Sequence, residues 1–87
     1  MSLRETLIRG YCRTNIDEYK TEDWPTAFVE VPREGDMVRA ESGRVLGVCQ
    51  VTHCQALSRA TIPRFAGSEK LMPGDPYIEV ELTRTWP

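Results

Sequence analysis

Val45-Leu-Gly-Val-Cys-Gln-Val-Thr-His53 is the stretch whose reading decides the fold. Val45, Cys49 and Val51 share one parity, and Leu46 and Val48 share the other. Successive side chains of a strand point to opposite faces, so both faces of this segment are apolar. That pattern predicts either a central strand covered on both sides or one sharply curved at Gly47.

Upstream, Glu41-Ser-Gly-Arg44 reads as a tight hairpin turn that joins this segment to a shorter strand beginning at Asp36. Pro32-Arg-Glu-Gly-Asp36 is a second turn signal, preceded by the strand-forming Thr26-Ala-Phe-Val-Glu-Val31. Pro25 holds Trp24 in extended backbone, which predicts that the indole covers one open end of the core. Before it, Asn15–Asp23 carries four carboxylates against Lys20 and reads as a solvated acidic loop. Glu5–Thr14 alternates as a strand. Thr6, Ile8, Gly10 and Cys12 form its smaller, inward set, and Leu7, Arg9, Tyr11 and Arg13 form the set expected to face water.

Downstream, Tyr77–Thr83 is a half-buried strand, with Ile78, Val80 and Leu82 facing in. Trp86 lies in a short tail that can fold back on the body. Between the last two strands runs a long segment without period, residues 55–76. Unstructured connections beyond about 12–15 residues are usually functional or disordered. This one mixes Ile62, Phe65, Leu71 and Met72 with three prolines and two glycines, so it cannot run as a central strand. It is also too apolar for a flexible linker. The expectation is a loop outside the sheet that offers an exposed apolar anchor, Phe65 foremost, to a partner.

The reading is therefore a single small, mostly β domain over residues 1–87. Strands fall near 5–14, 26–31, 36–41, 44–53 and 77–83, forming a small barrel or a strongly curved antiparallel sheet of about five strands with one long loop. The pattern Val31-Pro-x-x-Gly35-Asp36-x-Val38, then Gly43, Val48-x-x-Val51 and Tyr77-Ile-x-Val-x-Leu82, is similar to small SH3-like barrels. KOW-type modules and short uncharacterised bacterial and phage proteins share the Pro-x-x-Gly-Asp-x-Val hairpin. The resemblance covers about half the chain and implies a fold whose members bind RNA, peptides or each other.

Chemistry is sparse. Cys12, Cys49, His53 and Cys54 could in name form a zinc set, but Cys49 and His53 lie roughly 13 Å apart along an extended strand. The neighbours His53 and Cys54 point to opposite faces and Cys49 is too far along the strand, which removes those nucleophilic pairs; His53 could act with Cys12 across strands, but nothing in the sequence selects that pairing. Three cysteines in an apparently cytoplasmic chain predict no disulfide framework. No glycine-rich phosphate loop is present, and the expectation is no enzyme, no metal and no cofactor. The longest apolar stretch is far short of a membrane span, and Met-Ser-Leu-Arg-Glu opens without a signal pattern, predicting a cytoplasmic location.

Net charge is −2, which supplies no global attraction for nucleic acid. Locally the signs separate: residues 55–74 hold Arg59, Arg64 and Lys70 against Glu69, while residues 15–23 hold Asp17, Glu18, Glu22 and Asp23 against Lys20. Nine arginines against two lysines favour the cation used at interfaces. The functional expectation is a non-enzymatic interaction module that forms a homo-oligomer or binds a protein. Its partner-binding residues would be Arg9, Tyr11 and Arg13 on the first strand and Arg59, Ile62, Arg64, Phe65 and Leu71 on the loop. The alternatives are a single-stranded nucleic-acid binder of SH3-like or OB-like type and a phage or mobile-element accessory protein that inhibits a host complex.

Overall fold

The computed structural model describes residues 7–84; Thr6 and Trp86 lie outside them. Five strands form: β1 (Ile8–Thr14), β2 (Ala27–Phe28), β3 (Met37–Arg39), β4 (Val45–Gln55) and β5 (Pro76–Thr83). The sheet order is β2-β1-β5-β4-β3. It curls through 256° into a half-barrel. Single turns of 3-10 helix at Asp17–Tyr19 and Ser68–Lys70 complete the regular structure among the described residues.

Two features differ from the expected antiparallel sheet. β1 and β5 pair in parallel, Gly10 opposite Ile78 and Thr14 opposite Leu82, while the other three pairings are antiparallel. The centre is β5, not β4. The doubled parity of β4 comes from a bulge between Val48 and Gln50, not from a bend at Gly47 or a central position. Cys49 is the extra residue, and inserting it reverses the alternation. Leu46 and Val48 before it, and Val51 after it, all reach the same core.

That core fills the inside of the curl. Val38, Leu46, Val48, Ile78, Val80 and Leu82 are buried, with Ile8, Cys12, Ile16, Tyr19, Trp24, Phe28 and Val51 packed around them. Trp24 packs against this core, and its Nε1 donates to the Tyr19 carbonyl at 3.1 Å. The acidic loop is drawn down by cations. Lys20 meets Asp17 at 3.0 Å, Arg44 meets Glu22 at 3.6 Å, and Arg84 meets Glu18. Arg44 and Arg84 also lie over the Tyr19 ring, 5.2 and 5.6 Å from its centroid.

The second strand is much shorter than residues 26–31. β1 supports it only over Ile8–Phe28 and Arg9–Ala27, with Gly10 N–H donating to Thr26 O at 3.0 Å. Among the described residues the pairing of β2 with β1 ends at Phe28.

Candidate functional site

The long loop behaves differently from the expected partner-facing arm. β4 and β5 end against each other at Gln55 and Pro76, and the base is pinned by Ala56 N–H to Asp75 O at 2.8 Å. From this base the loop folds back over the outer face of the sheet. Ala56, Leu71 and Tyr77 are buried there, with Tyr11, Cys54, Ile62 and Phe65 packed against them. The Tyr11 and Phe65 rings stack at 5.3 Å, and Tyr77 sits 6.4 and 6.1 Å from the two. Leu71 is only 2% exposed. Phe65 and Leu71 are therefore part of a second core and not exposed anchors. Their apolar area is consumed by the tyrosines of β1 and β5, which the alternation had assigned to water.

The other expected contact residues scatter around this cluster. Arg9 is half-buried, and its Nη1 donates to Gly67 O at 3.4 Å. Tyr11 donates its hydroxyl proton to Glu79, which also accepts from Arg13 at 3.2 Å. Burial and then the Glu79 carboxylate push the Tyr11 phenol well above its ordinary range, keeping it a neutral donor. Arg59 is exposed and tied to the loop's own Glu69 carbonyl at 3.0 Å. Arg64 is exposed, and Ile62 is half-buried in the second cluster. The structure brings Tyr11, Ile62, Phe65 and Leu71 together as internal packing, with Arg9 bonded to the loop at Gly67 beside the cluster and Arg13, Arg59 and Arg64 outside it. The loop's exposed apolar side chains are Leu57 and Met72, at 73% and 57%.

A different surface is open. β2 and β3 are the two edges of the half-barrel, and they face one another across a cleft of about 500 Å³. Asp36 O accepts from Val48 N–H and Ala40 N–H donates to Arg44 O, so alternate residues of β3 face β4. Met37, Arg39 and Glu41 therefore turn their backbone groups the other way. Glu41 N–H uses this freedom to reach Asp23 O at 2.9 Å. Among the described residues Met37 and Arg39 stay open to the cleft, as does Ala27 on β2 by the same alternation from the Gly10–Thr26 bond. Val29 and Met37, 76% and 55% exposed, flank the opening. The prolines at 25 and 32 were the available signal, because proline in a strand context belongs to edges.

Two of the three thiols are pushed above their ordinary range. Burial pushes Cys12 up to about 12, and its Sγ donates to Pro25 O at 3.6 Å. Burial, followed by the nearby Glu81, raises Cys49 as well. All three cysteines are free. Among the described residues no three His, Cys, Asp or Glu side chains converge as a metal set, and no helix is long and apolar enough to cross a membrane. At pH 8, Cys12 should carry about a thousandth of the thiolate of an unperturbed cysteine. Alkylation followed by mass spectrometry is expected to label Cys12 last of the three; labelling first would contradict its burial.

No family model, curated protein or solved structure matches this chain.

Proposed function

We propose that this protein is a non-enzymatic interaction module that self-associates through the open edge of its half-barrel. The curled five-strand sheet is compatible with an SH3-like barrel, a fold whose members commonly bind other chains. The observation that carries the reading is the pair of facing strand edges, unpaired among the described residues, with Val29 and Met37 exposed between them. Unpaired strand N–H and C=O groups form a template for pairing with another chain. An isologous contact places β3 antiparallel to itself about Val38, so that Met37 of one copy lies opposite Arg39 of the other. Both edges are short, which restrains uncontrolled growth and leaves specificity to the apolar side chains.

The loop is a weaker candidate because Phe65 and Leu71 already stabilise the monomer. The same packing disfavours an oligonucleotide platform, since Tyr11 and Phe65, the rings that would stack on bases, stack on each other. Three of the acidic loop's four carboxylates, Asp17, Glu18 and Glu22, are likewise met by Lys20, Arg84 and Arg44 within the chain, which weakens head-to-tail pairing of basic and acidic loops.

Sedimentation velocity at tens of micromolar is expected to show a dimer. Val29→Lys with Met37→Lys should return the monomer, since like charges facing each other across a strand pair are destabilising, and should leave the circular dichroism unchanged. Leu57→Ser with Met72→Ser should leave the dimer intact. Dissociation by the loop pair and not the edge pair would move the interface to the loop and refute the edge reading.

A further inference from the structure

A second cavity, of about 440 Å³, opens where β1 and β5 begin and β4 ends. It lies apart from the β2–β3 cleft and shares only Val31 with it. Its volume falls within the roughly 300–1,000 Å³ of ordinary small-molecule sites. Ile8, Val31, Leu71 and Ile78 supply an apolar wall, and His53 stands exposed at its margin. The charged groups on the wall are Arg9 and Asp75. Asp75 is engaged in its own turn, accepting the Met72 N–H at 2.8 Å.

Arg9 is the unusual element. It is half-buried, forms no ion pair among the described residues, and makes one long bond, 3.4 Å, to the Gly67 carbonyl. A guanidinium carries five donors in a planar fork that matches a carboxylate in a two-point contact. The loop is shaped to keep this group in place. Gly67 has φ +91°, and a Cβ there would lie 2.5 Å from Arg9 Nη1. The result is a partly desolvated cation with unused donors beside an apolar cavity.

We propose that this cavity binds a small amphiphilic carboxylate. The apolar body lies against Ile8, Val31, Leu71 and Ile78, and the carboxylate meets the Arg9 guanidinium. The free donors of the Arg9 fork select the carboxylate: Arg9 has no ion-pair partner among the described residues, whereas Asp75 has an oxygen already accepting the Met72 N–H. The apolar wall selects a ring or short chain over a fully polar anion.

Naphthoate and its neutral counterpart naphthalenemethanol are the probes, titrated into the whole chain and followed by amide and methyl NMR. Naphthoate should shift the Ile8, Val31, Leu71 and Ile78 signals and bind about ten- to a hundredfold more tightly than the alcohol, the range for a hydrogen bond to a charged group. Arg9→Met should bring the acid down to the alcohol's affinity, and Arg9→Lys should restore part of the preference. Equal affinities for acid and alcohol, shifts confined to other residues, or no saturation by either probe would overturn the site. Should Arg9→Met fail to fold, the comparison of acid with alcohol on the unaltered chain still decides.

Discussion

Alanine at position 10 is expected to lower the thermal midpoint by roughly 10–20 °C, the consequence of about 2–3 kcal/mol of overpacking in a domain this small. Gly10 lies opposite Ile78 in the parallel β1–β5 pair, at the join of the sheet. An added Cβ would sit 2.7 Å from the Ile78 carbonyl oxygen and 2.5 Å from its Cγ1, with Phe28 Cε2 at 3.3 Å. The carbonyl is held by the strand and the Ile78 side chain by the core, so neither can retreat cheaply. Relief requires β1 to move away from β5, and among the described strands β2 is attached to the sheet only through β1. Differential scanning calorimetry of Gly10→Ala measures the effect, and an unchanged midpoint would contradict the close packing of these strands.

Leu71→Ala should destabilise the chain by about 2–4 kcal/mol, the range for emptying a well-packed leucine site. The neighbouring Met72→Ala should change stability by less than about 0.5 kcal/mol, as exposed substitutions do. Leu71 is 2% exposed and shares the second core with Ala56 and Tyr77, while Met72 is 57% exposed. Urea unfolding of the two variants separates a folded-back loop from a partner-facing arm. In the second case both changes would be nearly neutral in the isolated protein, so equal, small effects would refute the second core.

The legible parts of the fold were those controlled by local pattern. Ile78, Val80 and Leu82 alternate cleanly, and they form the buried side of the central strand. The turn at Pro32–Asp36 forms as its residues suggest, with Asp36 N–H bonded to Arg33 O and Arg33 N–H to the Asp36 carboxylate. The apolar double parity of Val45–His53 was visible, but its cause was not. An extra residue in one strand becomes a bulge only against a specific partner register. The parallel pairing of β1 with β5 depends on contacts far apart in sequence, which no local pattern encodes.

The candidate site was less legible still. Ile62, Phe65 and Leu71 read as partner contacts because an irregular apolar segment must bury its side chains somewhere. Hydropathy does not distinguish another molecule from the chain's own sheet. Tyr11 and Tyr77 were the hidden half of that answer, two aromatic residues on the face assigned to water. The edge cleft was obscured by the opposite error. Thr26–Val31 has the composition of a full strand, yet among the described residues its pairing covers only Ala27–Phe28, with Val29 outside β2 and exposed.

Amide hydrogen exchange measured against protein concentration tests the edge-pairing claim most directly. The N–H groups of Met37 and Arg39 point away from β4 and into the cleft, whereas those of Val38 and Ala40 face β4. Pairing through this edge predicts that Met37 and Arg39 exchange rapidly in dilute solution and become protected as concentration rises, while Val38 and Ala40 stay protected throughout. Unchanged exchange at Met37 and Arg39 across that range, or concentration-dependent protection confined to residues 55–76, would contradict the claim.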